Sequence, residues 1–326
     1  VIYCSIYNSI CNYFQISIFA LYFYSYYGIL FQGDRMKKQL SGVIALSGAT
    51  VIWGSAFIAQ SVGMDKIGPF TFQAVRCFLA VVFLFPASAL FSKGKPFWMS
   101  WADPALWRSG VICGLALFAA SSLQQIGLVY TDAGKAGFLT AMYIVFVPFL
   151  GLFLGQRPGR NALLSLIPAI VGLYLLSCTS VSGINKGDVL LLLCAVAFSV
   201  QLLLIDRHCA GLDGLKLNCI QALVAAMLSV PWALLTETVD ASRIASCWLP
   251  LGYAGVLSMG VAYTLQIVGQ KRVAPSAAAL LMSLESVFAA LFGWLLLHET
   301  MTRAEVLGCV LVFAAVVISQ LPEKKE

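Results

Sequence analysis

The chain alternates between long apolar segments and short clusters of polar, glycine and proline residues. A helix needs about 20 mostly apolar residues to cross the hydrocarbon core of a bilayer. From Gly42 onward the chain contains ten segments of that kind, and the pattern predicts ten membrane-spanning helices. The predicted ranges are 42–62, 69–91, 109–128, 134–155, 162–179, 187–205, 217–236, 248–269, 276–297 and 304–321.

The composition indicates that nearly the whole chain is embedded in a lipid bilayer. Of its 326 residues, 60% are hydrophobic and 10% are charged, and the mean hydropathy is +0.90. Soluble domains carry about 25% charged residues, so a soluble core would not absorb this much apolar surface. The connections, such as "GQRPGR" and "HETMTR", are too short to hold a soluble catalytic domain. The predicted fold class is therefore an all-α integral membrane protein.

The distribution of Lys and Arg predicts the orientation of the helices, because basic residues concentrate in the cytoplasmic loops of membrane proteins. If residue 36 is cytoplasmic, 14 of the 20 Lys and Arg residues lie inside and five lie outside, with Arg76 within a span. The sequence thus predicts a multi-pass protein of the cytoplasmic membrane. Both termini are expected in the cytoplasm if the native start is Met36. The five outer residues are Lys66, Lys135, Lys186, Arg243 and Arg303.

The first 33 residues carry no charge and are rich in Tyr, Phe and Ile. They could form an eleventh span or an uncleaved signal-like segment. The segment has neither the basic leading region nor the small-residue cleavage site of a signal peptide. We favour a third interpretation, in which residues 1–35 are translated upstream sequence. Met36 is the first methionine, and "MKKQLSG" is an ordinary cytoplasmic start for a helix.

The second half of the chain repeats the first. A shift of 142 residues aligns 123–155 with 265–297, and a shift of 145 pairs earlier positions such as Trp53 and Phe198. Each half then holds five predicted spans. Because five is odd, the second half enters the membrane from the opposite side, and the halves are predicted to be inverted repeats. Such repeats are typical of secondary transporters, whose substrate sites lie near the bilayer midplane.

Three stretches of sequence, together with the repeat, resemble one family of transporters. They are "VIWGSAF" at 51–57, "AVRCFLAVVFLFP" at 74–86 and the long segment 280–319, which begins "LLMSLESVFAALFGWLLLHET". These features are similar to those of the EamA family in the drug/metabolite transporter superfamily. The resemblance covers residues 40–320. It implies a ten-helix exporter or importer of metabolites.

The resemblance also implies a division of the chain. It predicts an apolar leader at 1–35, one EamA-like repeat of five helices at 36–180 and a second at 181–326. The sequence departs from the family pattern at two places. Ser286 stands where the family often has Pro after the Glu, and "GQRP" at 155–158 stands where the first repeat often ends in Gly-Glu.

Glu285 is the main candidate for a functional residue because it lies in the middle of an apolar span. About nine residues at 1.5 Å each place it about 14 Å deep, near the bilayer centre. Charged side chains at that depth are costly and usually face a cavity or a partner. Its repeat counterpart is Tyr143. Glu285 could bind a proton or a cationic substrate in a central cavity, or it could be a hydrogen-bonded residue that fixes helix packing. The sequence leaves both interpretations open.

Other polar and aromatic residues lie at a depth compatible with such a cavity. Gln124 and Gln266 recur in both halves, which favours a shared role, although helix–helix hydrogen bonds would explain them too. Arg76 lies nearer the outer end of its span, where a long basic side chain can extend to the interface. Arg76 and its counterpart Gln221 are therefore assigned a structural role. The candidate binding or coupling residues are Glu285, Tyr143, Trp53, Ser55, Gln124, Thr140, Gln201, Tyr263 and Gln266.

The sequence lacks the motifs of the common enzyme classes. There is no G-x-S-x-G, no H-E-x-x-H and no G-x-x-x-x-G-K-[ST], and the last absence removes direct ATP coupling by this chain. The ten Cys residues are scattered without a C-x-x-C pair, so they indicate neither a zinc site nor a disulfide framework. We expect no enzymatic activity, no cofactor and no metal.

The remaining classes are transporter and channel. A channel is expected to show a filter of carbonyl groups or a ring of charges, whereas one Glu between inverted halves suits alternating access. Phosphorylated substrates would need several cationic residues, and the spans offer only Arg76. The predicted function is secondary active transport of a small, amino-acid-like or otherwise weakly charged metabolite, as an exporter. An uncoupled facilitator or channel is the alternative.

The expected partners follow from this function. They are the lipid bilayer, a small-molecule substrate and a coupling proton. A homodimer is left open, and nucleic acid is not expected, because the formal net charge of +6 is explained by cytoplasmic loops.

Overall fold

A computed structural model of the chain shows helices and turns, and no strand, throughout the part that it describes. The predicted leader lies outside the described residues except for its last two positions. The predicted boundary between the repeats, at residue 180, also lies outside them. The described ranges are 34–90, 96–131, 133–177, 185–297 and 301–321.

The described residues contain all ten predicted spans, which we number in chain order. Nine of them are long and apolar enough to cross a membrane, and span 5 contains the shorter apolar helix Arg160–Leu176. A short helix, Ala241–Ser246, precedes span 8. The spans are Asp34–Met64, Pro69–Leu90, Pro104–Leu128, Ala133–Ala141 with Tyr143–Phe153, Arg160–Ser177, Lys186–His208, Gly214–Thr236, Trp248–Gly252 with Tyr253–Ala262 and Tyr263–Gln270, Pro275–Met282 with Leu284–Leu297, and Arg303–Gln320.

The polar clusters that separate the apolar segments also cap the helices. Span 6 begins with a capping box in which Asn185 and Asp188 each accept a backbone N–H from the other. Span 10 begins with the same arrangement between Thr302 and Glu305. The Asp213 carboxylate accepts two backbone N–H groups at the start of span 7. These side chains satisfy donors that the first turn of a helix leaves free, so the loop residues fix where each span starts.

The outer surface of the bundle is apolar. Large hydrophobic side chains on spans 2, 4, 5, 7 and 10 are more than a third exposed. A water-soluble monomer rarely shows so much apolar surface, and a bilayer would cover it. The chain is thus a multi-pass membrane protein, as the sequence predicted. Examples of these side chains are Phe78, Phe83, Phe85, Phe149, Phe153, Ile167, Trp232, Leu235, Val310 and Phe313.

The principal helix contacts join the two halves of the molecule. Spans 3 and 4 pack against span 6, and in the same way spans 8 and 9 pack against span 1. Span 2 packs against span 7, and span 5 packs against span 10. Each contact made by one half therefore has its counterpart in the other, as expected for two inverted five-helix repeats. The predicted fold class is confirmed.

Glycines allow the closest of these contacts. A Cβ atom built on Gly172 in span 5 would lie 2.7 Å from the carbonyl oxygen of Gly308 in span 10, and one built on Gly308 would lie 2.6 Å from that of Gly172. Small residues let the backbones of membrane helices approach in this way. Spans 5 and 10 thus form a tight pair of repeat counterparts.

Candidate functional site

Spans 4 and 9 are both interrupted near their middle, at equivalent places in the two repeats. Span 4 is interrupted at Met142 and span 9 at Ser283. At each interruption the chain makes a tight turn, in which Val145 N donates to Met142 O (3.0 Å) and Ser286 N donates to Ser283 O (3.2 Å). Interrupted helices at the interface of inverted repeats commonly form the binding site of transporters. These turns therefore indicate where to look for a site.

Tyr143 is the first residue after the interruption of span 4 and Glu285 is the second after that of span 9, and they contact each other. The Tyr143 hydroxyl donates to Glu285 Oε1 at 3.2 Å, and both side chains are buried. Their numbers differ by 142, which is the repeat offset. A residue can contact its own counterpart only near the pseudo-twofold axis that relates the two halves. The hydrogen bond therefore marks that axis.

A cavity surrounds this pair. Its lining residues come from spans 1, 2, 3, 4, 6, 8 and 9. Both halves thus contribute to one cavity. The lining residues are Trp53, Phe57, Gln60, Arg76, Gln124, Thr140, Tyr143, Phe198, Leu202, Ser258, Tyr263, Gln266, Met282 and Glu285.

Ten of these 14 lining residues form five repeat pairs. The cavity therefore lies on the pseudo-twofold axis. Its asymmetry is concentrated in Gln60, Arg76, Ser258 and Tyr263, whose counterparts do not line it. Three of these four are polar or charged, so the features that break the symmetry are mostly chemical. The pairs are Trp53 with Phe198, Phe57 with Leu202, Gln124 with Gln266, Thr140 with Met282, and Tyr143 with Glu285.

Span 1 lies directly against the second segment of span 9. A Cβ atom on Gly54 would lie 2.6 Å from Phe288 Cβ and 2.9 Å from the carbonyl oxygen of Glu285. Only glycine fits this contact without a shift of the helices. The close approach places Trp53 in the cavity wall, where its ring packs edge-on against Tyr263 with 5.0 Å between centroids.

Arg76 points into the protein interior and is only 3% exposed. Its Nη1 donates to Gln60 Oε1 at 2.7 Å, its Nε donates to Gln73 Oε1 at 2.9 Å, and its Nη2 also donates to Gln73 Oε1. The guanidinium lies 5.8 Å from the centroid of the Phe72 ring. The side chain is therefore buried and hydrogen-bonded within the protein, and it does not extend towards the interface. Helix phase turns it inward.

The two charged groups of the cavity do not pair with each other. The described residues show ion pairs at Lys135–Asp188, Lys216–Asp213 and Arg243–Asp240, and none between Arg76 and Glu285. The site therefore holds one cation and one carboxyl group that line the same cavity without forming an ion pair.

Several polar atoms of the lining residues lack a hydrogen-bond partner within the described part of the chain. They are Trp53 Nε1, Thr140 Oγ1 and Gln266 Oε1. Thr140 and Gln266 are only 1% and 2% exposed. Buried polar atoms in folded proteins nearly always have a partner. A ligand or water in the cavity would supply it.

Two of the nine predicted binding residues do not line the cavity. Ser55 Oγ donates to Ile52 O at 2.9 Å, and it lies 2.5 Å from the Tyr253 hydroxyl. The reason is helix phase, because each residue of an α-helix is rotated by about 100° from the previous one. Ser55 follows Trp53 by two residues, so it faces the other side of span 1.

Gln201 is the second residue that lies behind the cavity wall. Its Nε2 donates to Gln221 Oε1 at 3.3 Å, and its Oε1 accepts from Gln266 Nε2 at 3.4 Å. These three amides form a chain that ends at the cavity with Gln266. The hydrogen bond between Gln201 and Gln221 thus joins spans 6 and 7. Gln201 does not line the cavity, but it is hydrogen-bonded to Gln266, which does.

The prediction from sequence also missed six lining residues. The repeat offset could have found some of them, because Phe198 is the counterpart of Trp53, and Gln60 lies two helical turns after Trp53 on the same face of span 1. The other four are apolar or bear only a small hydroxyl group, so their residue types do not distinguish them from packing residues. The six are Phe57, Gln60, Phe198, Leu202, Ser258 and Met282.

Comparison with protein families gives a match over almost the whole chain. The sequence profile described as the EamA-like transporter family matches residues 40–178 and again residues 185–320. The two matches coincide with the two five-span halves of the structure.

Comparison with individual proteins gives relatives of similar length. An uncharacterized transporter of Archaeoglobus fulgidus is 32% identical over 89% of this chain and 89% of its own length. The threonine/homoserine exporter RhtA of Escherichia coli K12 is 27% identical over 90% of this chain and 95% of its own length. A solved crystal structure matches with a TM-score of 0.73 and 18% identity, covering 86% of this chain and 96% of the other. That structural match supports the fold alone.

Proposed function

The chain belongs to the EamA-like transporter family, and from that premise we propose that it exports a small, amino-acid-like metabolite across the cytoplasmic membrane by alternating access. The family makes it a transporter rather than an enzyme. The similarity to a threonine/homoserine exporter supports the substrate class and the direction. The cavity supports it further, because both halves of the protein line it.

The observation that carries this proposal is the hydrogen bond between Glu285 and Tyr143. It joins the two halves at their symmetry axis, inside the cavity. Alternating access in inverted repeats proceeds by movement of one half against the other around a fixed central site. A group at the axis stays within the site in both orientations, and it is therefore suited to couple a proton to the movement of the substrate.

Glu285 supplies the coupling chemistry. It is the sole carboxyl group among the described lining residues. When ionised it accepts the Tyr143 hydroxyl and attracts a cationic group of the solute, and when protonated it loses that attraction. A proton and a cationic substrate group therefore compete for one carboxylate. Such competition links inward movement of a proton to outward movement of the solute.

The test is transport by Glu285→Gln. The amide keeps the size of the side chain and its hydrogen bond with Tyr143, but it does not titrate. We expect the variant to fold, insert and unfold at the wild-type temperature, and to lose accumulation of solute driven by an imposed pH gradient. The measurement is uptake into inside-out vesicles with and without the gradient.

Two outcomes would contradict the coupling role. Wild-type accumulation by Glu285→Gln under the gradient would leave the Glu with a packing role only. Wild-type flux that saturates with solute but ignores the gradient would make the protein an uncoupled facilitator. Tyr143→Phe is the complementary control, because it removes the hydrogen bond that Glu285→Gln keeps while the titratable group remains.

A further inference from the structure

We propose that Arg76 binds the carboxylate of the transported solute, so that the substrate is a zwitterion held between Arg76 and Glu285. This inference rests on the transport function proposed above, and it names the substrate class of the same cavity. It assigns Arg76 a recognition role in place of the structural role expected from the sequence. The ammonium group of the solute would then lie towards Glu285.

The first support is that Arg76 has no anionic partner among the described residues. Its side-chain hydrogen bonds go to Gln60 and Gln73, both of them uncharged. The residue is 3% exposed and lines the cavity. A buried charge without a counter-ion is costly, above all within a membrane. A carboxylate that arrives with the substrate would supply the missing charge.

The second support is that the neighbours of Arg76 orient it without neutralising it. Gln73 binds both Arg76 and Ser121, and Gln60 accepts from both Arg76 and Gln125. This network holds the planar guanidinium in one orientation, which favours recognition of a carboxylate by two parallel hydrogen bonds. A Glu at either Gln position would pair with Arg76 permanently and would remove it from the cavity as an anion site.

The third support is that other lining residues carry unpartnered acceptor atoms. Thr140 Oγ1 and Gln266 Oε1 can each accept a hydrogen bond, and both lack a partner among the described residues. They line the same cavity as Arg76 and the Glu285 carboxyl group. Together these acceptors suit an ammonium group with its three donors.

A zwitterion satisfies both charges at once, and the simpler solutes do not. An amine without a carboxylate would leave Arg76 unpaired, and an acid without an amine would bring a second negative charge into the site of Glu285. One guanidinium also offers too little positive charge for a phosphate dianion. The arrangement of charges thus selects a solute that carries one group of each sign.

The test measures ligand binding in the absence of a pH gradient, so its outcome does not depend on proton coupling. The purified full-length protein is screened for ligand-induced thermal stabilisation with the standard L-amino acids, the amines that lack their carboxylate and the acids that lack their amino group. For L-threonine these are 1-amino-2-propanol and 3-hydroxybutyrate. We expect stabilisation by one or more amino acids and none by the matched amines and acids. Stabilisation by the amines, or by no amino acid, would overturn the proposal.

Substitutions assign the effect to Arg76. We expect Arg76→Gln to weaken the binding of those amino acids by about tenfold or more, since hydrogen bonds to charged groups are lost. The unfolding temperature of Arg76→Gln without ligand should equal or exceed that of the wild type, because a buried unpaired charge is removed. Arg76→Lys keeps the charge without the two-pronged geometry and should give an intermediate affinity. Arg243→Gln, on an exposed helix, should bind as wild type.

The two proposals fail in different ways. Wild-type amino-acid affinity in Arg76→Gln would overturn the role of Arg76, and the transport function would stand. A lower unfolding temperature of Arg76→Gln with unchanged affinity would return Arg76 to a structural role. Glu285→Gln should also weaken amino-acid binding, because the ammonium group loses its carboxylate; wild-type affinity in this variant would overturn the place given to the ammonium group, and loss of gradient-driven flux would still support the coupling role.

Discussion

At the scale of single residues, Gly54 allows spans 1 and 9 to pack closely beside the cavity. Gly54 brings span 1 against the backbone of Glu285 and Phe288, and it places Trp53 beside Tyr263. A methyl group at this position would have to push span 1 and span 9 apart by some tenths of an ångström. The contact therefore connects helix packing directly with the shape of the site.

We expect Gly54→Ala to lower both stability and transport. Overpacking of this kind costs about 1–3 kcal/mol, and the shift would also move Trp53 relative to the cavity. The measurements are the unfolding temperature in detergent and the rate of solute exchange in proteoliposomes.

Gly252→Ala is the control for that substitution. A Cβ atom there meets nothing within 4 Å, and alanine favours a helix over glycine. It should leave stability and exchange unchanged or slightly raised. If Gly54→Ala behaves like Gly252→Ala, then the close contact does not shape the site.

The sequence predicted the pair Glu285 and Tyr143 because a carboxyl group in an apolar span is conspicuous and the repeat offset gives its counterpart. It predicted Arg76 less well. Depth along a span follows from counting residues, but the direction of a side chain depends on how the helix is rotated by its neighbours. The same limit explains why Ser55 was included and Phe57 was missed.

At the scale of helices, the end of span 7 fixes the start of span 2. Phe70 N donates to Glu237 Oε1 at 2.7 Å, and Thr71 N and Thr71 Oγ1 donate to Glu237 Oε2 at 2.8 and 2.6 Å. Glu237 thus caps a helix of the other half of the chain. Its charge also lies near the positive end of the helix dipole.

We expect Glu237→Ala to destabilise the protein by about 1–3 kcal/mol, because the charged hydrogen bonds from three donors on Phe70 and Thr71 are lost. Glu237→Gln should lose less, since its amide has one acceptor oxygen in place of two. Thermal unfolding and the accessibility of span 2 to proteolysis are the measurements. Equal stability of all three proteins would show that the cap does not hold the halves together.

The helices themselves were predictable, and their interruptions were not. Hydropathy and polar loops gave all ten spans. The turns at Met142 and Ser283 contain neither a proline nor a glycine that would have indicated them. Pro148, in contrast, lies within a continuous helix. Contacts between the halves set these irregularities, and such contacts are not encoded in any one segment.

At the scale of the whole molecule, the cavity combines symmetry with specificity. Five repeat pairs build its wall, which suits the alternating access proposed above. Gln60, Arg76, Ser258 and Tyr263 line the cavity, whereas their counterparts in the other half do not. These four residues make the chemistry of the cavity asymmetric. The repeat was visible in the sequence, whereas the convergence of these four residues required the tertiary structure.

The central claim is that the halves are inverted around this cavity, and labelling of single cysteines tests it most directly. Asp65→Cys and Tyr130→Cys lie in loops of the first half, and Ala210→Cys and Arg272→Cys lie at their repeat counterparts. Each is placed in a protein without other cysteines and exposed to an impermeant thiol reagent on intact cells. We expect labelling at 65 and 130 only. The favoured orientation, with 14 Lys and Arg residues on the cytoplasmic side and five on the outer side, places the loops at 210 and 272 in the cytoplasm. Labelling of 65 and 210 together, or of 130 and 272 together, would mean that the repeats run parallel and would contradict the account.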